Sequence, residues 1–215
     1  MYIGHYGIAF LFKKKFKEIP LWLLFVSVQF ADILAFILII FGIERIQFSQ
    51  HANPFFRTTL EYFPFSHSLF TNIIFALIIL VDFWVLKNKV WGIVLSVSCL
   101  SHWFIDLIFH TTDLPLFMNS YKVGFGLWEF PILSFFLDAL FMLIPGYYLY
   151  KNSNKFKRLP IIMGIMFVFF TFIILVPVPE KAQISANIKT LFILIPYLIF
   201  TFLVYRIEKD KVMEN

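Results

Sequence analysis

Three ligand-type side chains follow one another at intervals of four residues within one apolar stretch of this sequence. They are His102, Asp106 and His110. At 3.6 residues per turn, positions i, i+4 and i+8 lie on one face of a helix. Imidazole nitrogens and carboxylate oxygens are the donors that zinc and similar divalent ions accept. This row of three residues therefore predicts a divalent-metal site on a helix.

Further polar side chains interrupt the neighbouring apolar stretches. Asp32 and Asp138 lie inside two of them, and His67 lies at the start of a third. A charged group at the centre of a bilayer costs at least about 2.5–3.5 kcal/mol, so such groups usually face a protein interior or a watery cavity. We expect Asp32 and His67 to converge with His102 and Asp106 on one interior cavity.

The elements that must position these residues are long apolar segments. Hydrophobic residues make up 60% of the chain and charged residues 14%, against roughly 45–50% and 25% in soluble domains. A helix needs about 20 apolar residues to cross a bilayer. The segments that approach this length are Leu21–Ile43, Phe65–Leu86, Val90–Phe109, Trp128–Tyr150, Ile161–Val178 and Leu191–Tyr205. The sequence predicts an all-α membrane protein of about six transmembrane helices.

A shorter apolar segment, Met1–Phe12, precedes the first span. It is too short to cross a bilayer, which leaves a re-entrant helix or an interfacial helix. If the segment dips into the bilayer, His5 reaches the inner side of the predicted site.

The basic residues are distributed unevenly between the loops. Thirteen of the 18 Lys and Arg residues fall in segments 13–17, 87–89, 151–158 and 206–211, on one predicted side. The other five are Arg45, Arg57, Lys122, Lys181 and Lys189. Cytoplasmic loops carry the excess of basic residues. Both termini are therefore predicted to be cytoplasmic, and the long polar connections Glu44–Tyr62 and Thr111–Gly126 are predicted to face outward.

Several other functions lack support in the sequence. No P-loop, GxGxxG or GxSxG motif is present. The basic clusters have no interleaved aromatic pattern, so nucleic acid is not an expected partner. The single cysteine, Cys99, permits no disulfide framework. The run Lys13–Lys17 follows the first apolar stretch instead of preceding it, so a cleaved secretory signal is not expected.

Six stretches of the sequence resemble a family of predicted bacterial inner-membrane metal-dependent hydrolases, which are distantly similar to zinc-dependent phospholipase C. The stretches are GHYGIAF, VQFADILAF, FGIERI, YFPFSHSLF, LSHWFIDLIFHTTDLPLF and KVGFGLWEFP. The resemblance covers roughly residues 1–150 and is most specific over Ser101–Phe117. It implies a metal-dependent hydrolase core of four spans over residues 1–150. Residues 151–215 would add two further spans as scaffold.

The resemblance also implies a set of site residues. The residues that match the polar positions of the family are His5, Asp32, His67, His102, Asp106, His110 and Asp113, and Asp138 corresponds to a carboxylate on the fourth helix. This chain departs from the family at Ala31-Asp32-Ile33, where many relatives have a longer PDIDH-type run. The metal ligands expected here are His5, His67, His102, Asp106 and His110. Asp32 and Asp138 are the candidates for a catalytic general base.

Three hypotheses remain in competition. The first is a membrane-embedded hydrolase that holds a divalent ion, most simply Zn²⁺, and acts from the outer side on a lipid-linked or phosphoester substrate among the membrane lipids. The second is a transporter or proton pathway, since chains of Asp and His serve as relays in membranes. The third is a scaffold with buried polar contacts. Three stacked polar groups exceed what one interhelical contact needs, which weighs against the third.

Overall fold

The computed structural model describes residues 3–48, 58–175 and 186–210. The described residues are mostly helical. Their helices are α1 (Tyr6–Lys15), α2 (Leu21–Val28), α3 (Phe30–Ile40), α4 (Leu69–Val85), α5 (Lys89–Phe109), α6 (Pro131–Lys151), α7 (Leu159–Leu175) and α8 (Ala186–Asp210). Two antiparallel hairpins join them, β1 (Arg45–Phe48) with β2 (Thr58–Tyr62) and β3 (Leu114–Phe117) with β4 (Ser120–Val123).

Two of these helices, α5 and α6, are long and apolar enough to cross a bilayer, with 21 residues each. The pair α2 and α3 adds a third crossing if it forms one bent span. The helices α4 and α7 are apolar but shorter, at 17 residues each. The described residues thus support two or three spans, where the sequence predicts six. The predicted end of the fifth span, Val178, lies outside the described residues.

The first predicted span, Leu21–Ile43, is not one continuous helix. It breaks at Gln29, and the two halves are bent by 57°. Gln29 has φ −100° and ψ 11°, outside the helical region. The break leaves the Val28 carbonyl at the end of α2 and places Asp32 in the first turn of α3. The apolar periodicity of the segment continues across the break, so it gives no sign of this bend.

The short N-terminal helix lies inside the protein. α1 begins at Tyr6 and continues to Lys15, three residues beyond the predicted end of the apolar segment. Tyr6, Ala9 and Phe10 are fully buried. Gly7 lies directly against the Phe141 carbonyl of α6, where a Cβ atom would collide with it. This close approach holds the start of α1 against α6.

The C-terminal helix packs into the same hydrophobic core as the N-terminal helices. Tyr197 of α8 is fully buried against Tyr6 and Phe36. Lys13 of α1 forms a buried ion pair with Glu208 of α8 at 2.9 Å. The charge distribution predicts Lys13 to be a topology signal in a loop, but this lysine lies in a helix and is 5% exposed. The division of the chain at residue 150 stays a prediction.

The two hairpins contact each other next to the helical bundle. Lys122 donates to the Leu60 carbonyl, and Leu60 donates its N–H to the Asp113 carboxylate at 3.0 Å. The Phe63 N–H donates to the Asn119 side chain at 2.9 Å. These bonds connect the segment before α4 to the segment after α5, so the residues at the adjacent ends of both helices are held in register.

Candidate metal centre

The α5 helix presents its row of three residues toward the protein interior. His102 and Asp106 are each 1% exposed, and His110, the C-cap residue, is 4% exposed. The row lies on the helix face that α5 buries against its neighbours, as the spacing predicts. Trp103 on the same helix donates its indole N–H to the His67 carbonyl at 2.8 Å. This bond fixes the start of α4 against α5.

The Asp106 carboxylate lies at the centre of the site, with histidines around both oxygens. Its Oδ1 is 3.1 Å from Nε2 of His5. Its Oδ2 is 3.1 Å from Nε2 of His102 and 3.7 Å from Nε2 of both His67 and His110. Four histidines from three parts of the chain therefore turn Nε2 toward one carboxylate.

Asp32 forms the second carboxylate of the site. Its Oδ1 is 3.4 Å from Nε2 of His67 and 3.6 Å from Nε2 of His102. Its Oδ2 accepts a hydrogen bond from the Tyr197 hydroxyl at 3.3 Å. Because Asp32 lies in the first turn of α3, the helix dipole favours its negative charge. We call His5, Asp32, His67, His102, Asp106 and His110 the His/Asp cluster.

Three of the four histidines have their other ring nitrogen fixed by a hydrogen bond. Nδ1 of His102 lies 2.8 Å from the Val28 carbonyl, which can only accept. Nδ1 of His110 lies 2.9 Å from the Asp113 carboxylate. In both rings Nδ1 therefore carries the hydrogen, which leaves the Nε2 lone pair facing Asp106. Metal-ligating histidines are oriented in the same way by a carbonyl or a carboxylate.

A longer chain of bonds orients His67. The Ser66 hydroxyl donates to Glu44, whose carboxylate also accepts the Ser66 N–H at 2.9 Å. A hydroxyl has one hydrogen, so its oxygen is left to accept from Nδ1 of His67, 2.9 Å away. Nε2 of His67 is then an unprotonated acceptor that points at Asp32 and Asp106. Glu44 is 1% exposed, so this chain is fully buried.

Asp113, outside the helices, supports His110 from the loop side. Its two oxygens accept from His110 and from the Leu60 N–H. Burial alone raises the pKa of Asp113, but the facing His110 ring and these hydrogen bonds outweigh it, so the pKa lies below the usual range. Asp113 is therefore ionised at neutral pH and holds the His110 tautomer.

Nε2 of His5 is hydrogen-bonded to Asp106, but four of the six contacts between imidazole nitrogens and carboxylate oxygens are longer, at 3.4 to 3.7 Å. Ligand atoms around a four-coordinate zinc ion at about 2.0–2.1 Å lie about 3.3–3.4 Å apart, and the six contacts of the cluster run from 3.1 to 3.7 Å. Nε2 of His102 is fully buried and makes no hydrogen bond. Such an orphaned buried nitrogen costs free energy unless a further group satisfies it. These buried His and Asp side chains can hold a metal ion.

Asp138 lies apart from these contacts. Its Oδ1 accepts the Gly4 N–H at 2.6 Å, and the residue is 6% exposed. The bond holds the backbone next to His5, so Asp138 helps to position that histidine. Its predicted role as a general base stays a prediction.

Sequence reasoning missed three residues that support the site. For Glu44 and Ser66, the polar pair Ser66–His67 beside an apolar span was an available signal. Tyr197 gave no signal, since an uncharged tyrosine in a segment interpreted as scaffold is ordinary. Comparison with known proteins adds no further assignment, because no family model, curated protein or solved structure matches this chain.

Proposed function

We propose that this protein is a membrane-embedded, metal-dependent hydrolase. The observation that carries the proposal is the convergence of four histidine Nε2 atoms on Asp106, three of them with Nδ1 held by an acceptor. A purely structural polar contact has no need to fix so many lone pairs toward one point. The family resemblance of residues 1–150 points to the same class.

Zn²⁺ is the proposed ion, because a mixed histidine and carboxylate set is typical of catalytic zinc. His5, His102 and Asp106 would hold it, since their ligand atoms lie within 4.8 Å of one another. A bound divalent ion lowers the pKa of water and polarises a phosphoryl oxygen. His67 and His110 then flank the same carboxylate.

Substrate access is proposed on the side of Asp32. Its side chain is 13% exposed, against 0–6% for the other five members of the cluster. As general base, Asp32 would take a proton from the water whose oxygen forms the new P–O bond, and would return that proton to the leaving oxygen as the old P–O bond breaks and the alcohol leaves. The apolar surroundings favour a lipid-linked substrate taken from the membrane.

The full topology is part of the proposal. Six crossings would place both termini in the cytoplasm of a bacterial inner membrane, with the hairpins and the His110 end of the site facing outward. Large exposed apolar side chains on α4 and α6, such as Leu77, Val81, Ile132 and Ile144, support contact with lipid. Reporter fusions after Asn215 and within Thr111–Gly126 should then report opposite sides. Two fusions on the same side would contradict the proposed topology.

The deciding experiment measures metal binding by detergent-purified protein. Wild type should retain Zn²⁺ in elemental analysis and bind it in calorimetry, whereas the double variant His102→Ala, Asp106→Ala should not. Asp82→Ala, at an exposed position on α4, is the matched control and should bind as wild type does. Retained metal in wild type should accompany hydrolysis of a chromogenic phosphodiester or of phospholipid in mixed micelles.

The continuous Asp–His contacts also favour a second candidate, a proton pathway. Wild type that binds no divalent ion more tightly than the double variant would end the hydrolase proposal. Proton flux in liposomes that depends on Asp106 would then support the pathway.

A further inference from the structure

The ligand atoms of the cluster form two sets of three rather than one. The sets are His5, His102 and Asp106, and Asp32, His67 and His102; within each set the atoms lie within 4.8 Å of one another. The two sets share His102, whose Nδ1 is occupied by the Val28 carbonyl. His102 thus has one free nitrogen and can serve one ion only.

Only one oxygen of the Asp106 carboxylate faces the second set. Oδ1 is 3.1 Å from His5, whereas Oδ2 is 3.1 Å from the shared His102 and 3.7 Å from His67, which is itself 3.4 Å from Asp32. A carboxylate whose two oxygens serve different ligand groups can bridge two cations, as in the two-metal sites of many phosphatases and nucleases. Assigning His102 to the first set leaves Asp32, His67 and Oδ2 as a complete second set, with His110 beside it.

The number of ligand side chains and the negative charge of the site both favour two cations. Six side chains converge, and a tetrahedral zinc ion accepts three or four ligands. Four carboxylates lie in or directly behind the cluster: Asp106, Glu44 and Asp113 are buried, and Asp32 is partly buried. Two divalent ions match these four negative charges, whereas one ion matches half of them.

We propose that the site binds two divalent cations bridged by Asp106, the first held with His5 and His102 and the second with Asp32 and His67. This rests on the proposed function and refines it, because Asp32 becomes a ligand of the second cation instead of the general base. Two cations held side by side suit a phosphoester, whose attacking and leaving oxygens both carry charge in the transition state.

Stoichiometry tests the inference without any activity assay. Purified wild type, loaded with Zn²⁺ and washed with a weak chelator, should retain two ions per chain. His5→Gln and His67→Gln should each retain one, and Asp106→Asn none. After loading with Mn²⁺, wild type should give the electron paramagnetic resonance spectrum of an exchange-coupled pair, and both histidine variants should give that of an isolated ion. Gel filtration and circular dichroism check that each variant is folded.

The outcomes separate this inference from the proposed function. One ion per chain in wild type, retained in His67→Gln, would overturn the second cation and leave the hydrolase proposal standing. No ion in wild type would overturn both. Two ions in wild type that remain in Asp106→Asn would contradict the bridge, because the ions would then occupy independent positions.

Discussion

The two ends of α1 carry buried polar groups of opposite character. His5, at its start, belongs to the His/Asp cluster, and Lys13, in its last turn, pairs with Glu208. The Lys13 ammonium uses all three of its hydrogens, on the Lys17 and Ile19 carbonyls at 2.8 and 2.7 Å and on Glu208 at 2.9 Å. Glu208 also accepts the Leu21 N–H at 2.6 Å. All of these contacts have hydrogen-bond lengths, so we call Lys13 and Glu208 the closed pair.

The cluster at the other end is not closed. Its carboxylate–imidazole contacts reach 3.7 Å, and the buried Nδ1 of His5 and Nε2 of His102 make no hydrogen bond. His5 and Lys13 are both buried, at 0% and 5% exposed, so the difference between the two sites does not come from a difference in burial. A polar contact that serves only stability satisfies its own donors and acceptors, whereas a binding site leaves ligand atoms directed at a group that must be supplied.

The largest effect should come from opening the closed pair. Lys13→Met leaves Glu208 buried without its cation, which should lower the free energy of unfolding by about 3–5 kcal/mol. Unfolding followed by tryptophan fluorescence in mixed micelles measures the loss. Zn²⁺ binding should not change, because Lys13 touches no member of the cluster in the described residues.

Two further variants test whether burial of the ion pair causes this loss of stability. Lys14→Met changes the neighbouring lysine, which lies over the half-exposed Tyr148 ring. This variant should lower the free energy of unfolding by less than about 1 kcal/mol. The double variant Lys13→Met, Glu208→Gln removes both charges and should recover part of the loss. A loss for Lys14→Met as large as for Lys13→Met would show that burial of the pair is not the cause.

Removing the metal should destabilise only proteins in which the His/Asp cluster is intact. At free Zn²⁺ one hundred times the dissociation constant, binding stabilises the folded state by about 2.7 kcal/mol. Chelation should remove that amount from wild type and from Lys14→Met, as a fall in the midpoint of unfolding. Asp106→Asn should be insensitive to the chelator. A chelator effect of equal size in Asp106→Asn would place the bound metal elsewhere.

The sequence predicts the part of the site that lies on single helices. The spacing of His102, Asp106 and His110 defines one face of α5 without knowledge of any neighbour. The partners of Nδ1 depend on which segments meet, so Val28, Glu44 and Ser66 could not be assigned from spacing. The break at Gln29 and the burial of Lys13 could not be predicted for the same reason: length and charge along the chain do not say which residues a fold encloses.

Acidification should weaken metal binding before it affects the fold. A protonated imidazole cannot bind metal, and the ordinary histidine pKa is about 6.5. Zn²⁺ affinity should therefore fall as the pH is lowered from 7.5 to 5.5, because each histidine ligand that takes up a proton is lost to the metal. Calorimetry across this range measures it, and a flat profile would contradict histidine ligation.

Removing the hydrogen bonds that connect Glu44 and Ser66 to His67 should lower Zn²⁺ affinity by a smaller factor. Ser66→Ala removes the acceptor of Nδ1 and separates Glu44 from the ring, so Zn²⁺ affinity should fall about tenfold to a hundredfold. Ser101→Ala is the matched control on α5, because its hydroxyl bonds only to the Ser98 carbonyl among the described contacts. Equal affinities for the two serine variants would mean that Glu44 and Ser66 only stabilise the turn before α4.

The smallest expected effect tests whether the C-terminal helices are scaffold alone. The Tyr197 hydroxyl of α8 donates to Asp32 at 3.3 Å, on the carboxylate oxygen that does not face the histidines. Tyr197→Phe keeps the buried ring and removes this one bond, so metal affinity should fall by about tenfold or less. A long hydrogen bond is weaker than those to His102 or His110, which is why the effect is ranked last. Thr201→Val, one turn further along α8 with its hydroxyl on the Tyr197 carbonyl, is the control that leaves Asp32 untouched. If Tyr197→Phe binds Zn²⁺ as tightly as Thr201→Val, the Tyr197 hydroxyl contributes nothing to metal binding.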